Sequence, residues 1–100
     1  LAAKVEAGAA AAGEKTWRFP MFKEYNDLLK SDVADARNVG TRGAGTIAGA
    51  KFLEPFAADT PWVHLDIAGV DMADKDKGWI TKGASGQSVR ALVNLALNWA

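Results

Sequence analysis

The chain has 100 residues, 49% of them hydrophobic, and its 12 basic and 12 acidic side chains give a formal net charge of zero. This length suits one small domain or part of a larger one, and the neutral charge provides no electrostatic surface for nucleic acid or an anionic membrane. The absence of cysteine excludes disulfides and thiolate metal ligands and favours a reducing compartment, and no apolar run approaches the roughly 20 residues of a membrane helix.

The first 12 residues are rich in alanine and predict a helix that Gly13 ends. This segment has neither an initiator methionine nor a capping residue, so it has the composition of a helix interior and suggests a fragment. Residues 17–20 should be extended, because a residue before proline is pushed out of the helical region. Apolar residues then recur at helical spacing and predict a short helix over residues 21–30: Phe22, Tyr25, Leu28 and Leu29. Residues 31–36 alternate weakly and predict a strand.

Residues 40–50 are dense in glycine and lead into a small-residue helix that should end near Phe56. One interpretation is an anion site, since a glycine loop entering a helix exposes backbone N–H groups. The other is close packing of the helix against a sheet through its small residues: Ala44, Gly45, Ala48 and Gly49. The spacing matches neither the dinucleotide-binding glycine motif nor the lysine-containing phosphate loop, so we favour close packing.

Residues 61–69, Pro-Trp-Val-His-Leu-Asp-Ile-Ala-Gly, have the composition of a strand and predict the central strand of the fold. Alternation would place Val63, Leu65 and Ile67 on one face, and a strand with both faces covered is typical of a sheet between helices. The other face carries His64 and Asp66, which could ligate one metal or form a base and its orienting partner. Two ligands are too few for a hydrolytic metal site, however. We therefore favour a buried histidine and an aspartate that braces a neighbouring loop.

Residues 70–81 form a charged segment with three aspartates, Asp71, Asp74 and Asp76, and with Lys75 and Lys77 among them. Alternating aspartates are found in calcium loops, but the glycine and distal glutamate of that motif are misplaced, so we favour a solvated loop. Residues 82–86 predict a turn, and Ser88 is a reasonable cap for a final helix. That helix has an apolar stripe: Val89, Leu92, Val93 and Ala96. Neither Ser85 nor Ser88 lies in a nucleophile elbow, so the motifs alone name no reaction.

Several short motifs occur in a fixed order along the chain. Two of them are His-Leu-Asp-Ile-Ala-Gly at residues 64–69 and Lys-Gly-Ala-Ser-Gly at 82–86. The others are Trp-Arg-Phe-Pro at 17–20, Ser-Asp-Val-Ala-Asp at 31–35, Asn-Val-Gly at 38–40 and Phe-Leu at 52–53. In this order they resemble the C-terminal part of the leucyl (cytosol) aminopeptidase family, to which the first two motifs are the most specific. The resemblance is continuous over residues 17–97, and the preceding alanine-rich helix also fits.

The resemblance implies an α/β fold, with residues 1–100 forming the incomplete C-terminal segment of a three-layer α/β/α catalytic domain. It implies a cytoplasmic enzyme that removes N-terminal residues from peptides and assembles as a homo-hexamer. The neutral charge does not indicate a nucleic-acid partner, and no apolar run indicates a membrane partner. Two divalent metal ions, zinc or manganese, would polarise the scissile carbonyl and generate the attacking hydroxide.

The family's Asn-Thr-Asp-Ala-Glu-Gly-Arg metal motif and its ligating and catalytic lysines are absent from the sequence. The resemblance therefore assigns no catalytic residue and no metal ligand to this chain, which alone should be inactive. It does assign two substrate-pocket positions, namely Ala68 for the first residue of the peptide and Val39 for the second. A third pocket position, often methionine in the family, falls on Asp71 with Met72 beside it, and either side chain could face substrate.

Two other functions stay open. One is a non-catalytic α/β assembly module that has kept the aminopeptidase shell, and the other is an independent hydrolase that uses His64 and Asp66. The metal motif on another part of the polypeptide would decide for the aminopeptidase.

Overall fold

The computed structural model describes residues 1–40 and 43–99. In chain order its elements are α1 (Ala2–Ala11), a 3₁₀-helix (Lys23–Leu29), α2 (Gly45–Ala57), β1 (Met72–Ala73), β2 (Gly83–Ala84) and α3 (Val89–Leu97). The chain divides into two compact units: unit 1 comprises Leu1–Trp17 with Leu65–Ala100, and unit 2 comprises Arg18–His64. None of the described helices has the length and apolar content needed to cross a bilayer.

Unit 1 is held together by the packing of α1 against α3. Val5 and Ala9 on α1 and Ala91 on α3 are buried. The two helices approach closely at Gly8, where an added Cβ would lie 2.8 Å from the carbonyl oxygen of Ala91. Small residues at a helix crossing allow two helix backbones to approach closely. The small residues of the alanine-rich first segment therefore explain its close packing against α3.

The buried Glu14 joins the end of α1 to the start of α3. Gly13 ends α1 with a φ of 70°, as the sequence predicts, and the chain then turns so that Glu14 lies under α3. A carboxylate oxygen of Glu14 accepts a hydrogen bond from the backbone N–H of Ala91 at 3.2 Å. The guanidinium of Arg90 lies 3.7 Å from the same carboxylate and 3.8 Å from the centre of the Trp79 ring.

Unit 2 packs α2 against the 3₁₀-helix, and Leu29, Ala48 and Ala50 in these two elements are buried. An added Cβ on Gly40 would lie 2.7 Å from the Cβ of Ala48, so α2 does pack closely at Ala48. The predicted partner of this packing is wrong, because Gly40 precedes α2 and belongs to no sheet. The predicted close packing is also wrong at Gly45, whose missing Cβ would meet nothing within 4 Å.

Three predicted elements differ from the structure. The helix expected over residues 21–30 forms as a 3₁₀-helix of seven residues, the tighter geometry that short helical segments adopt. Residues 31–36 form bends rather than a strand, and Val33 is 95% exposed, so its alternation serves no buried face. Residues 61–69 form no paired strand, because a strand requires a hydrogen-bonded neighbour and no other described segment pairs with them.

The N-terminus of α3 and its apolar face also differ from the sequence prediction. Ser88 stands at the N-cap position, but its φ of 73° is left-handed and its side chain makes no capping hydrogen bond. The predicted apolar stripe is largely exposed at Val89, Leu92 and Val93, whereas Ala91 is buried against α1. The helix therefore packs in unit 1 through its smaller residues and leaves the larger ones uncovered there.

Candidate functional site

Three of the four predicted pocket residues lie in one loop of unit 1, residues 66–73. A carboxylate oxygen of Asp66 accepts a hydrogen bond from the N–H of Ala68 at 2.9 Å. The carbonyl oxygen of Ile67 then accepts the N–H groups of Val70 and Asp71, both at 2.9 Å. The interpretation of Asp66 as a residue that braces a loop is confirmed by its bond to Ala68. This bond closes the short side-chain-to-backbone ring typical of aspartate at a turn.

The 66–73 loop is joined to the turn at residues 82–87. The two short strands β1 and β2 pair antiparallel, with Met72 opposite Ala84 and Ala73 opposite Gly83. Gly83 has a φ of 115°, a conformation that residues with a side chain rarely adopt, so the chain needs glycine there. Next to this pairing, the N–H of Ser85 donates to the carbonyl oxygen of Asp71 at 2.8 Å.

The side chains of the predicted pocket residues are accessible. Ala68 and Asp71 are exposed, and Met72 is 63% exposed in β1. Val39 is 71% exposed and belongs to unit 2, so the structure gathers three of the four predicted residues in one loop and places the fourth in the other unit.

His64 does not share a unit with Asp66, because it lies at the end of unit 2. Its side chain is half-buried, and its Nε2 is 3.8 Å from the position of an added Cβ on Gly49, an ordinary van der Waals distance. The histidine thus lies beside α2 within its own unit, but it is half-buried and not buried as the sequence predicts.

The described residues bring together no group of three or more histidine, aspartate or glutamate side chains that could hold a metal ion. The alternating aspartates of residues 70–81 are exposed, and a carboxylate oxygen of Asp76 accepts a hydrogen bond from the N–H of Lys82 at 2.7 Å. Residues 1–40 and 43–99 therefore do not fit a dinuclear metal centre, and no reaction step is assigned to them.

A cleft of about 260 Å³ lies between α1 and α3 of unit 1. It is lined in part by Lys4, Gly8, Leu95 and Asn98, and its lining does not include the 66–73 loop. The cleft follows from the packing of two helices through small residues and is separate from the predicted pocket.

Two residues of structural importance have no sequence signal that would reveal their role. Ser85 bonds to the backbone of residues 14 to 15 positions earlier, and Glu14 bonds to Ala91, 77 positions later. The buried Lys51 differs from these two residues. Its ammonium group pairs with the carboxylate of Glu54 at 2.8 Å, and the spacing of three residues on a helix is a sequence signal for such a pair.

Comparisons with known proteins agree with the resemblance. The profile described as "Cytosol aminopeptidase family, catalytic domain" matches residues 1–93. The probable cytosol aminopeptidase of Alkaliphilus metalliredigens is 47% identical over 93 residues, which are 93% of this chain and 19% of that protein. The corresponding protein of Alkaliphilus oremlandii is 53% identical over 87 residues, 87% of this chain and 17% of that one.

Two solved structures share the fold. The bottromycin maturation enzyme BotP, in complex with Mn, aligns with a TM-score of 0.88 and 38% identity, over 96% of this chain and 22% of its own. A variant of tomato leucine aminopeptidase aligns with a TM-score of 0.83 and 41% identity, over 96% of this chain and 18% of its own. These matches confirm the predicted α/β fold class.

The chain spans about a fifth of the length of the curated relatives that it matches. The match nevertheless covers nearly all of the chain itself, and both the sequence profile and the tomato structure carry the name aminopeptidase. The chain therefore belongs to the cytosol aminopeptidase family and corresponds to a part of its catalytic domain.

Proposed function

We propose that this chain is the C-terminal segment of a metal-dependent aminopeptidase that removes N-terminal residues from peptides. The observation that carries the proposal is the family match over residues 1–93, with relatives 47% and 53% identical that are named as probable cytosol aminopeptidases. Within that enzyme the chain would supply part of the domain core and a wall of the substrate pocket rather than the reacting groups.

The pocket wall is assigned to Ala68, Asp71 and Met72, with Val39 serving the second residue of the peptide. Support for the first three comes from their shared loop, whose backbone is held by hydrogen bonds while their side chains stay accessible. A fixed backbone with free side chains is what a specificity pocket requires, because ordering the wall in advance lowers the cost of binding.

The metal centre is assigned to other parts of the enzyme, since the described residues of this chain do not form one. BotP was solved with Mn, and metal dependence of the proposed enzyme, on manganese or zinc, is inferred by analogy with it. A divalent metal pair would supply Lewis-acid activation of the peptide carbonyl and of water. Without these groups the isolated chain would be inactive.

The proposed enzyme acts in the cytoplasm as a homo-hexamer. The location is suggested by the names of the relatives. The assembly is inferred from the family resemblance.

The test is an assay of the full-length polypeptide with a peptide that begins with leucine and with the same peptide N-acetylated. We expect metal-dependent release of leucine from the free peptide only, because an aminopeptidase acts at the free N-terminus. The isolated chain of residues 1–100 serves as the negative control. Failure of the full-length polypeptide to release leucine with zinc or manganese present would favour the non-catalytic assembly module instead.

A further inference from the structure

The 66–73 loop is fastened to the 82–87 turn through Ser85. The Ser85 hydroxyl donates to the carbonyl oxygen of Val70 at 2.5 Å and accepts from the N–H of Gln87 at 3.1 Å. The backbone N–H of Ser85 donates to the carbonyl oxygen of Asp71 at 2.8 Å. Ser85 thus bonds two consecutive carbonyl groups of the loop and, at the same time, holds its own turn in shape.

These bonds fix the loop between its pocket residues. Peptide groups are planar and rigid, so fixing the carbonyl groups of Val70 and Asp71 sets the direction in which the chain enters Met72. Asp71 and Met72 are themselves exposed, so little packing within unit 1 holds their side chains. Their placement therefore depends on the backbone hydrogen bonds of the loop. The bonds of Ser85 act there together with the β1–β2 pairing at Met72 and the two bonds to the Ile67 carbonyl oxygen.

We propose that Ser85 is a positioning residue that determines the side-chain preference of the aminopeptidase. The inference rests on the proposed function, since it requires that the 66–73 loop lines the pocket for the substrate's N-terminal side chain. Ser85 acts through the backbone of residues 70–71 and does not itself contact the peptide. A wall held in one position discriminates between side chains of different size, whereas a loosened wall adapts to each of them.

The experiment compares Ser85→Ala with Ser85→Thr in the full-length polypeptide. The first readout is amide hydrogen exchange in a peptic peptide that covers residues 67–73, and the second is kcat and KM for peptides beginning with leucine or alanine. Ser85→Ala should raise the exchange rate and lower the leucine-to-alanine ratio of kcat/KM by about 2- to 10-fold, the range of one lost hydrogen bond. The loss should appear mainly as a higher KM for leucine peptides.

Ser85→Thr should restore both readouts, because threonine keeps the hydroxyl donor and acceptor. The matched control is Ser31→Ala, which removes a serine hydroxyl that accepts a local backbone hydrogen bond in unit 2, at 3.3 Å from the N–H of Val33. This control should change neither the exchange of residues 67–73 nor the substrate preference. If Ser85→Ala does not fold, Ser85→Cys replaces it, since a thiol is a much weaker donor.

Each result that would contradict the proposal identifies a different part of it as wrong. Unchanged amide exchange of residues 67–73 in Ser85→Ala would show that the hydroxyl does not fasten the loop. Raised exchange with an unchanged leucine-to-alanine ratio of kcat/KM would show that Ser85 has no role in specificity. Equal losses in the alanine and threonine variants would also overturn the proposal, because the hydroxyl would then not be the cause. Absence of aminopeptidase activity in the wild type would contradict the proposed function, and the specificity role with it, while the exchange readout would still decide whether Ser85 fastens the loop.

Discussion

At the scale of single residues, the pocket assignment depends most on Ala68. Its N–H is held by Asp66, and its methyl group is the smallest side chain that the turn could present without the added backbone freedom of glycine. The proposed pocket would therefore be deep at this position and accept a side chain of the size of leucine or methionine.

Replacing Ala68 with leucine in the full-length polypeptide should fill that space. Each displaced methylene is worth about 1 kcal/mol, so kcat/KM for leucine peptides should fall relative to alanine peptides by about tenfold or more. The control is Ala68→Ser, which has nearly the same size and should keep the preference of the wild type. An Ala68→Leu protein that is folded and has the wild-type ratio would exclude Ala68 from the pocket.

The part of the site that the sequence could predict is the part governed by local chemistry. Asp66 and Ala68 are two positions apart, so the bracing bond between them follows from the habits of aspartate at turns. The bonds of Ser85 to the carbonyl groups of Val70 and Asp71 depend on how two segments meet, and nothing in the spacing of the residues indicates that meeting.

At the scale of elements, the start of α3 is stabilised from outside the helix. Ser88 makes no side-chain capping bond, and the carboxylate of Glu14 instead accepts from the N–H of Ala91, at the third position of the helix. A capping side chain usually satisfies an N–H at this position, and a negative charge there also interacts favourably with the helix dipole.

Glu14→Ala in the full-length polypeptide should weaken the first turn of α3 by about 1–2 kcal/mol. Amide exchange within residues 89–93 should then rise by about 5- to 30-fold. Glu14→Gln keeps an acceptor oxygen and should fall between the two proteins. The exposed Glu24 of unit 2 provides the control, since Glu24→Ala should leave α3 unchanged. Exchange in α3 that is insensitive to Glu14→Ala would show that the bond does not cap the helix.

The crossing of α1 and α3 offers a second test at this scale. Alanine is favoured over glycine within a helix by about 1 kcal/mol, so Gly8→Ala would stabilise an isolated helix. The new Cβ would, however, lie 2.8 Å from the carbonyl oxygen of Ala91, a backbone atom that can move only with its helix. We expect the steric cost to prevail and the free energy of unfolding, from urea titration of the full-length polypeptide, to fall by about 1–3 kcal/mol.

Gly45→Ala is the matched control for this substitution, because Gly45 begins α2 and has open space where its Cβ would be. The control should be neutral or slightly stabilising. A Gly8→Ala protein that is more stable than the wild type would mean that the two helices separate without cost.

Among the elements, the three α-helices were predictable from the sequence, whereas the 3₁₀ geometry of residues 23–29 and the two short strands were not. The helix interiors of α1 and α3 follow from local composition, and Gly13 marks the end of α1 through its own conformational preference. The strand composition of residues 61–69 has no effect without a neighbouring strand, because hydrogen bonding in a sheet is not local. The exposed apolar side chains of α3 are a similar case. Their spacing predicts an apolar face on the helix, but it does not indicate which segment packs against that face.

At the scale of the whole molecule, each unit has a sparse core. The buried hydrophobic residues among those described are mostly alanine: Val5, Ala9, Leu29, Ala48, Ala50 and Ala91. Many large apolar side chains of the described residues are exposed, including Trp17, Phe56, Trp79 and Leu97. Burying so little apolar area does not offset the conformational entropy of ordering 100 residues.

The isolated chain should consequently lack a cooperative unfolding transition. Circular dichroism on heating should show a broad change or aggregation, because exposed apolar side chains favour association over folding. A sharp, reversible transition from monomeric residues 1–100 would show that the chain is stable by itself.

In the proposed enzyme, this chain forms the wall of the side-chain pocket while other residues hold the metals. The most direct measurement is a crystal structure of the full-length polypeptide with manganese and a non-hydrolysable leucine analogue. We predict contacts of about 4 Å between the leucine side chain and both Ala68 and at least one of Asp71 and Met72. We also predict no carboxylate of this chain in the metal coordination shell. A leucine side chain bound away from the 66–73 loop, or an aspartate of this chain bound to manganese, would contradict the account.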